Sequence, residues 1–289
     1  MNNQVTIKKA ILFPLIKAIT GVAVIVVAVL LCEQLRKYLT NQTQLNNDAR
    51  DLIIAILESS LALVCYILFF KLFEKRKIIE LSWSTFGKYA FMGFATGLVL
   101  QSLAVLVLYI ARGYSVIKVN PLSFLLPGFS AALIAGFVAE IIIRGIIFRL
   151  IEEQTGTVVA LIFTAILFIL LHTGANGATI LSVTATTIQA GILVSAAYVF
   201  TRSLWFPIFF HFAWDFAQPA IFGGINPGIT VERTLLNSKI SGSSLITGGQ
   251  FGPGNSLQAV IFCLIISVIF LLLSKRKNNF IKPRWKRLD

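Results

Sequence analysis

Hydrophobic residues along this 289-residue chain gather into long runs separated by short polar stretches. A bilayer core about 30 Å thick takes about 20 apolar residues of helix, and eight stretches meet or approach that length. They lie at about 10–31, 52–73, 88–111, 121–150, 156–173, 178–201, 204–223 and 256–274. The pattern predicts an all-α polytopic membrane protein of about eight transmembrane helices, with residues 1–289 in a single membrane domain. The fourth stretch exceeds a bare span, so tilt or overhang is expected. The first has no small-residue cleavage site behind it and ends at "CEQLRKY", which reads as a retained anchor helix. Residues of about 224–255 are rich in Gly, Ser and Asn and predict a flexible external loop.

Composition agrees with this pattern. Hydrophobic residues make up 57% and charged residues 13%, against about 45–50% and about 25% in soluble domains. The mean hydropathy is +0.85. The formal charge of +13 does not point to nucleic acid, because much of the excess sits at segment ends. Lys8 and Lys9, the run "EKRK" at 74–77, Arg149, Arg202 and the tail at 275–289 fall where cytoplasmic loops are basic. Arg36, Lys37 and Arg50 blur the contrast. The expectation is an integral membrane protein with both termini cytoplasmic, its basic tail against anionic lipid headgroups. Cys32, Cys65 and Cys263 show no CxxC pair, and neither a disulfide framework nor a thiolate metal site is supported.

Ionisable side chains inside a bilayer cost about 2.5–3.5 kcal/mol each on insertion scales, so each requires a reason. Glu58, Glu140, Arg144, His172, His211 and Asp215 all fall in the apolar stretches. Glu140 and Arg144 are spaced i, i+4 on one helix face, as are His211 and Asp215. Taken singly, the first pair could be mutual neutralisation, His172 a polar helix end, and His211 with Asp215 an interhelical hydrogen bond. Taken together, an acid, two imidazoles and a second carboxylate on three helices form a candidate site. Water between a carboxylate and an imidazole can be deprotonated and attack a peptide carbonyl if another group stabilises the oxyanion. Glu140, His172 and His211 would also make a zinc site with an open position, although no H-E-x-x-H helix is present. Glu58 has no evident partner. Gln101, Gln189, Thr184, Thr186 and Thr187 read as polar contacts between helices. At 1.5 Å per residue, Glu140 lies ~19 Å above a helix end near Glu153 and His172 ~24 Å above a start near Gly156. His211 and Asp215 lie only ~9 and ~15 Å above a start near Trp205, so tilt or overhang is needed to bring the groups together.

The stretches "AEIIIRG", "FILLH" and "SLWFPIFFHFAWD" resemble the motifs E-E-x-x-x-R, F-x-x-x-H and H-x-x-x-N/D of the CPBP (CAAX protease and bacteriocin-processing, or Abi) family. They occur in that order within a motif-bearing core of about 121–223. The resemblance implies the helical intramembrane protease fold and endopeptidase cleavage of a membrane-associated protein or peptide. It implies that His172 helps to activate water, that His211 and Asp215 bind the oxyanion, and that Arg144 pairs with Glu140. No cofactor is required if the chemistry is of the glutamate type; zinc is the metal expected if it is a metalloprotease.

The first glutamate of the first motif falls on Ala139. That residue is the one expected to polarise water, so the chain departs from the pattern at the position of its base. An introduced alanine, a natural loss of activity, or Glu140 serving as base would each account for it. Against the last, residues i and i+1 face directions about 100° apart. The function expected is therefore an endopeptidase impaired at Ala139. A catalytically inactive immunity or peptide-binding scaffold protein is one alternative. An ion- or proton-coupled transporter is another, weakened by the lack of visible internal repeats.

Overall fold

The computed structural model describes residues 2–42, 46–224 and 233–286, with side chains from residue 14 onward. All eight apolar stretches form helices, named here α1 (Asn2–Gln42), α2 (Asn47–Glu74), α3 (Trp83–Ile110), α4 (Leu122–Thr155), α5 (Thr157–Thr173), α6 (Ile180–Thr201), α7 (205–221) and α8 (Leu257–Arg276). Among the described residues, α1 to α4, α6 and α8 are long and apolar enough to cross a membrane. The other two are shorter: α5 has 17 residues, and α7 is a 12-residue α-helix continued by five residues of π-helix.

Local chemistry sets the boundaries. The Asn46 side chain accepts from the Asp48 N–H at the start of α2, and Thr179 with Ser182 forms a capping box at the start of α6. Gly156, at φ +87°, makes the turn between α4 and α5, where a side chain would also meet the tail backbone at Ile281.

α7 lies in the middle of the bundle, held between α3 and α4 by glycines. A Cβ added at Gly97 would come within 2.6 Å of the Phe210 carbonyl oxygen, and one at Gly136 within 2.8 Å of that of Ile208. Gly93 makes the same close approach at Phe206. With no hydrophobic force between helices in lipid, such close backbone packing supplies the association. Gly136 is one turn before Glu140, so the contact that seats α4 on α7 also brings Glu140 to the level of His211.

The stretch expected to be a flexible external loop carries regular structure from residue 233 onward; residues 225–232 lie outside the described residues. Strand β2 (Leu236–Ile240) pairs antiparallel with β1 (Tyr114–Val119), Tyr114 opposite Ile240 and Val119 opposite Leu236. The fold is thus helical with one small ribbon. Its strands are too short and too polar to stand out beside the spans. Residues 243–255 follow as short helical turns that lie over the ribbon end of the bundle.

Candidate active site

Glu140 and Arg144 are both fully buried. The Arg144 Nη1 donates to Glu140 Oε1 at 3.0 Å and stands 2.9 Å from Oε2. His211 Nδ1 lies 2.7 Å from the same Oε1, and its Nε2 lies 3.2 Å from Asp215 Oδ2. One imidazole therefore bridges two carboxylates, and it can donate to both only in its doubly protonated form. Arg144 and that imidazolium would balance Glu140 and Asp215, leaving a quartet with no net charge.

His172 reaches the site from the end of α5. Its Nδ1 is 2.9 Å from the Phe168 carbonyl oxygen, and its ring stacks on the Phe168 ring with centroids 5.7 Å apart. The same phenyl ring lies 5.3 Å from Arg144 Cζ. The phenylalanine of the second motif thus links the guanidinium to the imidazole, with a cation–π contact on one side.

His172, His211 and Asp215 line one cavity of about 170 Å³, with Phe168, Thr186, Gln189 and Trp214 among the other walls. Phe251 and Asn255 complete it from the segment before α8. Thr186 donates to Asn255 Oδ1 at 3.0 Å, and Gln218 Nε2 donates to the Phe251 carbonyl at 3.0 Å. The spacing of Thr186 and Gln189 in an apolar span was a usable signal. Phe251 and Asn255 gave none, because they lie in a Gly-rich stretch with no helical or strand period. Glu140 and Ala139 are not among the residues lining the cavity; Ala139 is half-buried.

α4 changes helix type directly after Glu140. Residues Ile141–Phe148 are π-helical, not α-helical. The Gly145 carbonyl there accepts from Tyr66 Oη at 3.1 Å and from Arg149 Nε at 3.1 Å, side-chain donors that compete with the helical ladder. Directly after Asp215 the helix widens again at Ala217–Ile221. Pro219 lies within this segment and has no N–H to give the Asp215 carbonyl four residues back. Widened turns of this kind recur at functional sites.

The type II CAAX prenyl endopeptidase Rce1-like family model matches residues 121–217, a stretch that holds Ala139, Glu140, Arg144, His172, His211 and Asp215. Over that stretch the chain is similar to the CAAX proteases. No curated protein and no solved structure matches it. Its long apolar helices, with this likeness, make it an integral membrane protein.

The zinc set considered from sequence does not fit. Among the described residues no group of three or more His, Cys, Asp or Glu is placed to hold a metal ion. Both nitrogens of His211 face carboxylates, and Glu140 is engaged by Arg144 as well as by His211. Glu58 is buried in α2 and is not among the residues lining the cavity. Gln101 joins α3 to α7 through Gln218 at 3.0 Å, as a polar contact between helices.

Proposed function

We propose that the protein is an endopeptidase that hydrolyses a peptide bond of a membrane-associated protein or peptide, using water activated within the membrane. The observation that carries this reading is the single cavity lined by two imidazoles and a carboxylate inside an apolar bundle. Hydrolysis needs a proton acceptor beside the water and a donor at the developing oxyanion. His172 and Asp215 supply acceptors, while His211 and the Asn255 amide supply donors. Ala139 withholds a further carboxylate, so the reaction is slow. The test is cleavage of a fluorogenic membrane-peptide library in detergent by the chain and by Ala139→Glu, with and without chelator. The variant is expected to be faster, by up to the ~10²–10⁴ typical of a positioned general base. Loss of that activity in chelator would reinstate a metal.

Ala139 itself favours a second reading, a catalytically inactive relative that serves as a bacteriocin self-immunity protein or peptide-binding scaffold. Peptide binding without cleavage in either chain would select it. The reading also places the protein in a bacterial plasma membrane with both termini cytoplasmic. Lys275, Arg276, Lys277, Lys282, Arg284 and Lys286 are all exposed on the tail, which supports contact with anionic headgroups there.

A further inference from the structure

Position 139 offers a methyl group where hydrolysis would use a carboxylate. Glu140 is poorly placed to replace it: it is fully buried, held by Arg144 and His211, and absent from the cavity wall. Among the described residues lining the cavity, one carries a carboxylate, and it is Asp215. We propose that Asp215 is the group that takes the proton from the attacking water, so that the carboxylate missing from α4 is supplied by α7. This rests on the hydrolytic reading above and assigns its base.

The chemistry of the residue supports the assignment. An ionised carboxylate has acceptor sites only, so Asp215 cannot bind an oxyanion by hydrogen bonding. Accepting a proton is the task open to it. His172 is arranged to assist. The Phe168 carbonyl can only accept, so the His172 Nδ1 facing it at 2.9 Å carries the ring proton. Nε2 of the neutral ring then keeps its lone pair for the second hydrogen of the water. In the step, one water proton passes to the Asp215 carboxylate as the water oxygen bonds to the scissile carbonyl carbon. The C–N bond then breaks, and the proton passes from Asp215 to the departing nitrogen. Water and peptide become a carboxylic acid and an amine. While Asp215 is protonated it no longer competes as an anion for the His211 Nε2–H, which frees that donor for the oxyanion.

The test compares initial cleavage rates of the wild-type chain, Asp215→Asn, Ala139→Glu and the double variant, each checked for monodispersity and thermal unfolding. Asn is isosteric with Asp, so the geometry around His211 is retained while the proton acceptor is lost. Asp215→Asn is expected to lower the rate by ~10²-fold or more, with the double variant returning to within about tenfold of Ala139→Glu. Retention of most activity in Asp215→Asn would overturn the proposal, as would a double variant that stays inactive, since Asp215 would then be needed for something other than proton transfer. An inactive wild-type chain beside an active Ala139→Glu would also overturn it, without any substitution at 215, and would leave the endopeptidase reading intact. No cleavage by any of the four folded proteins would remove both.

Discussion

Glu140 and Arg144 illustrate how a buried charge is tolerated in this molecule. Each is fully buried, and each is neutralised by a partner one turn away. Removing one partner leaves the other charge without compensation, which in buried pairs costs about 3–5 kcal/mol. Glu140→Ala is therefore expected to lower the thermal unfolding temperature in detergent sharply, and an unchanged transition would contradict the pairing. Phe168→Ala removes the ring that lies against both Arg144 and His172. It should lower activity more than substrate affinity, because it loosens the imidazole proposed to act during bond making; a change in KM alone would argue otherwise. At this scale much was legible. The cost of burying an ionisable group made the residues of the quartet and His172 conspicuous in sequence. Asn255 and Phe251 were not, since polar and aromatic residues in a Gly-rich stretch carry no such cost.

At the scale of elements, the site depends on how closely α7 approaches its neighbours. Gly93 and Gly97 press against the α7 backbone from α3, and Gly136 does so from α4. A methyl at Gly136 would overlap the Ile208 carbonyl oxygen, and overpacking of this kind costs about 1–3 kcal/mol or moves the helix. Gly136→Ala is expected to separate Glu140 from His211 and reduce cleavage, whereas Gly87→Ala, with open space around it, should leave cleavage unchanged. Equal effects at the two positions would contradict a role for close packing. Apart from α1, which runs on to Gln42, the spans themselves were readable to within a few residues, because apolar length is a direct consequence of bilayer thickness. The π segments were not. Two of them carry a side chain or proline that disturbs the ladder, at Gly145 and at Asp215, and no hydrophobic period announces the widening. The ribbon was missed for a related reason: β1 and β2 are stabilised by each other across more than a hundred residues of chain.

On the scale of the whole molecule, the end of the bundle opposite the ribbon is tied by ion pairs. Glu74 at the end of α2 meets Lys17 of α1 at 3.2 Å and Arg149 of α4 at 3.1 Å. Arg202 pairs with Glu152 at 2.6 Å, and the tail docks beside it, with the Ile281 N–H donating to Thr157 Oγ1 at 2.8 Å. In the loop between α2 and α3, burial would raise the Glu80 carboxyl, but the Arg76 guanidinium at 2.6 Å outweighs it and holds the group below its ordinary range. A carboxylate depressed on folding stabilises the folded state above its unfolded pKa, near 4.3, and that stability is lost as pH falls through the folded value. Acidification below about pH 4 should therefore lower the unfolding temperature, and by less in Glu80→Gln. Identical slopes would show that Glu80 is not among the groups responsible.

The central claim is that water activated beside His172 cleaves a peptide bond. It is tested most directly by incubating the purified chain with a membrane peptide in ¹⁸O-labelled water and measuring the products by mass spectrometry. The account predicts two fragments, with ¹⁸O in the new carboxyl terminus, and their disappearance in His172→Ala. Intact peptide bound to both the folded wild-type chain and folded Ala139→Glu, or fragments that persist in His172→Ala, would contradict it.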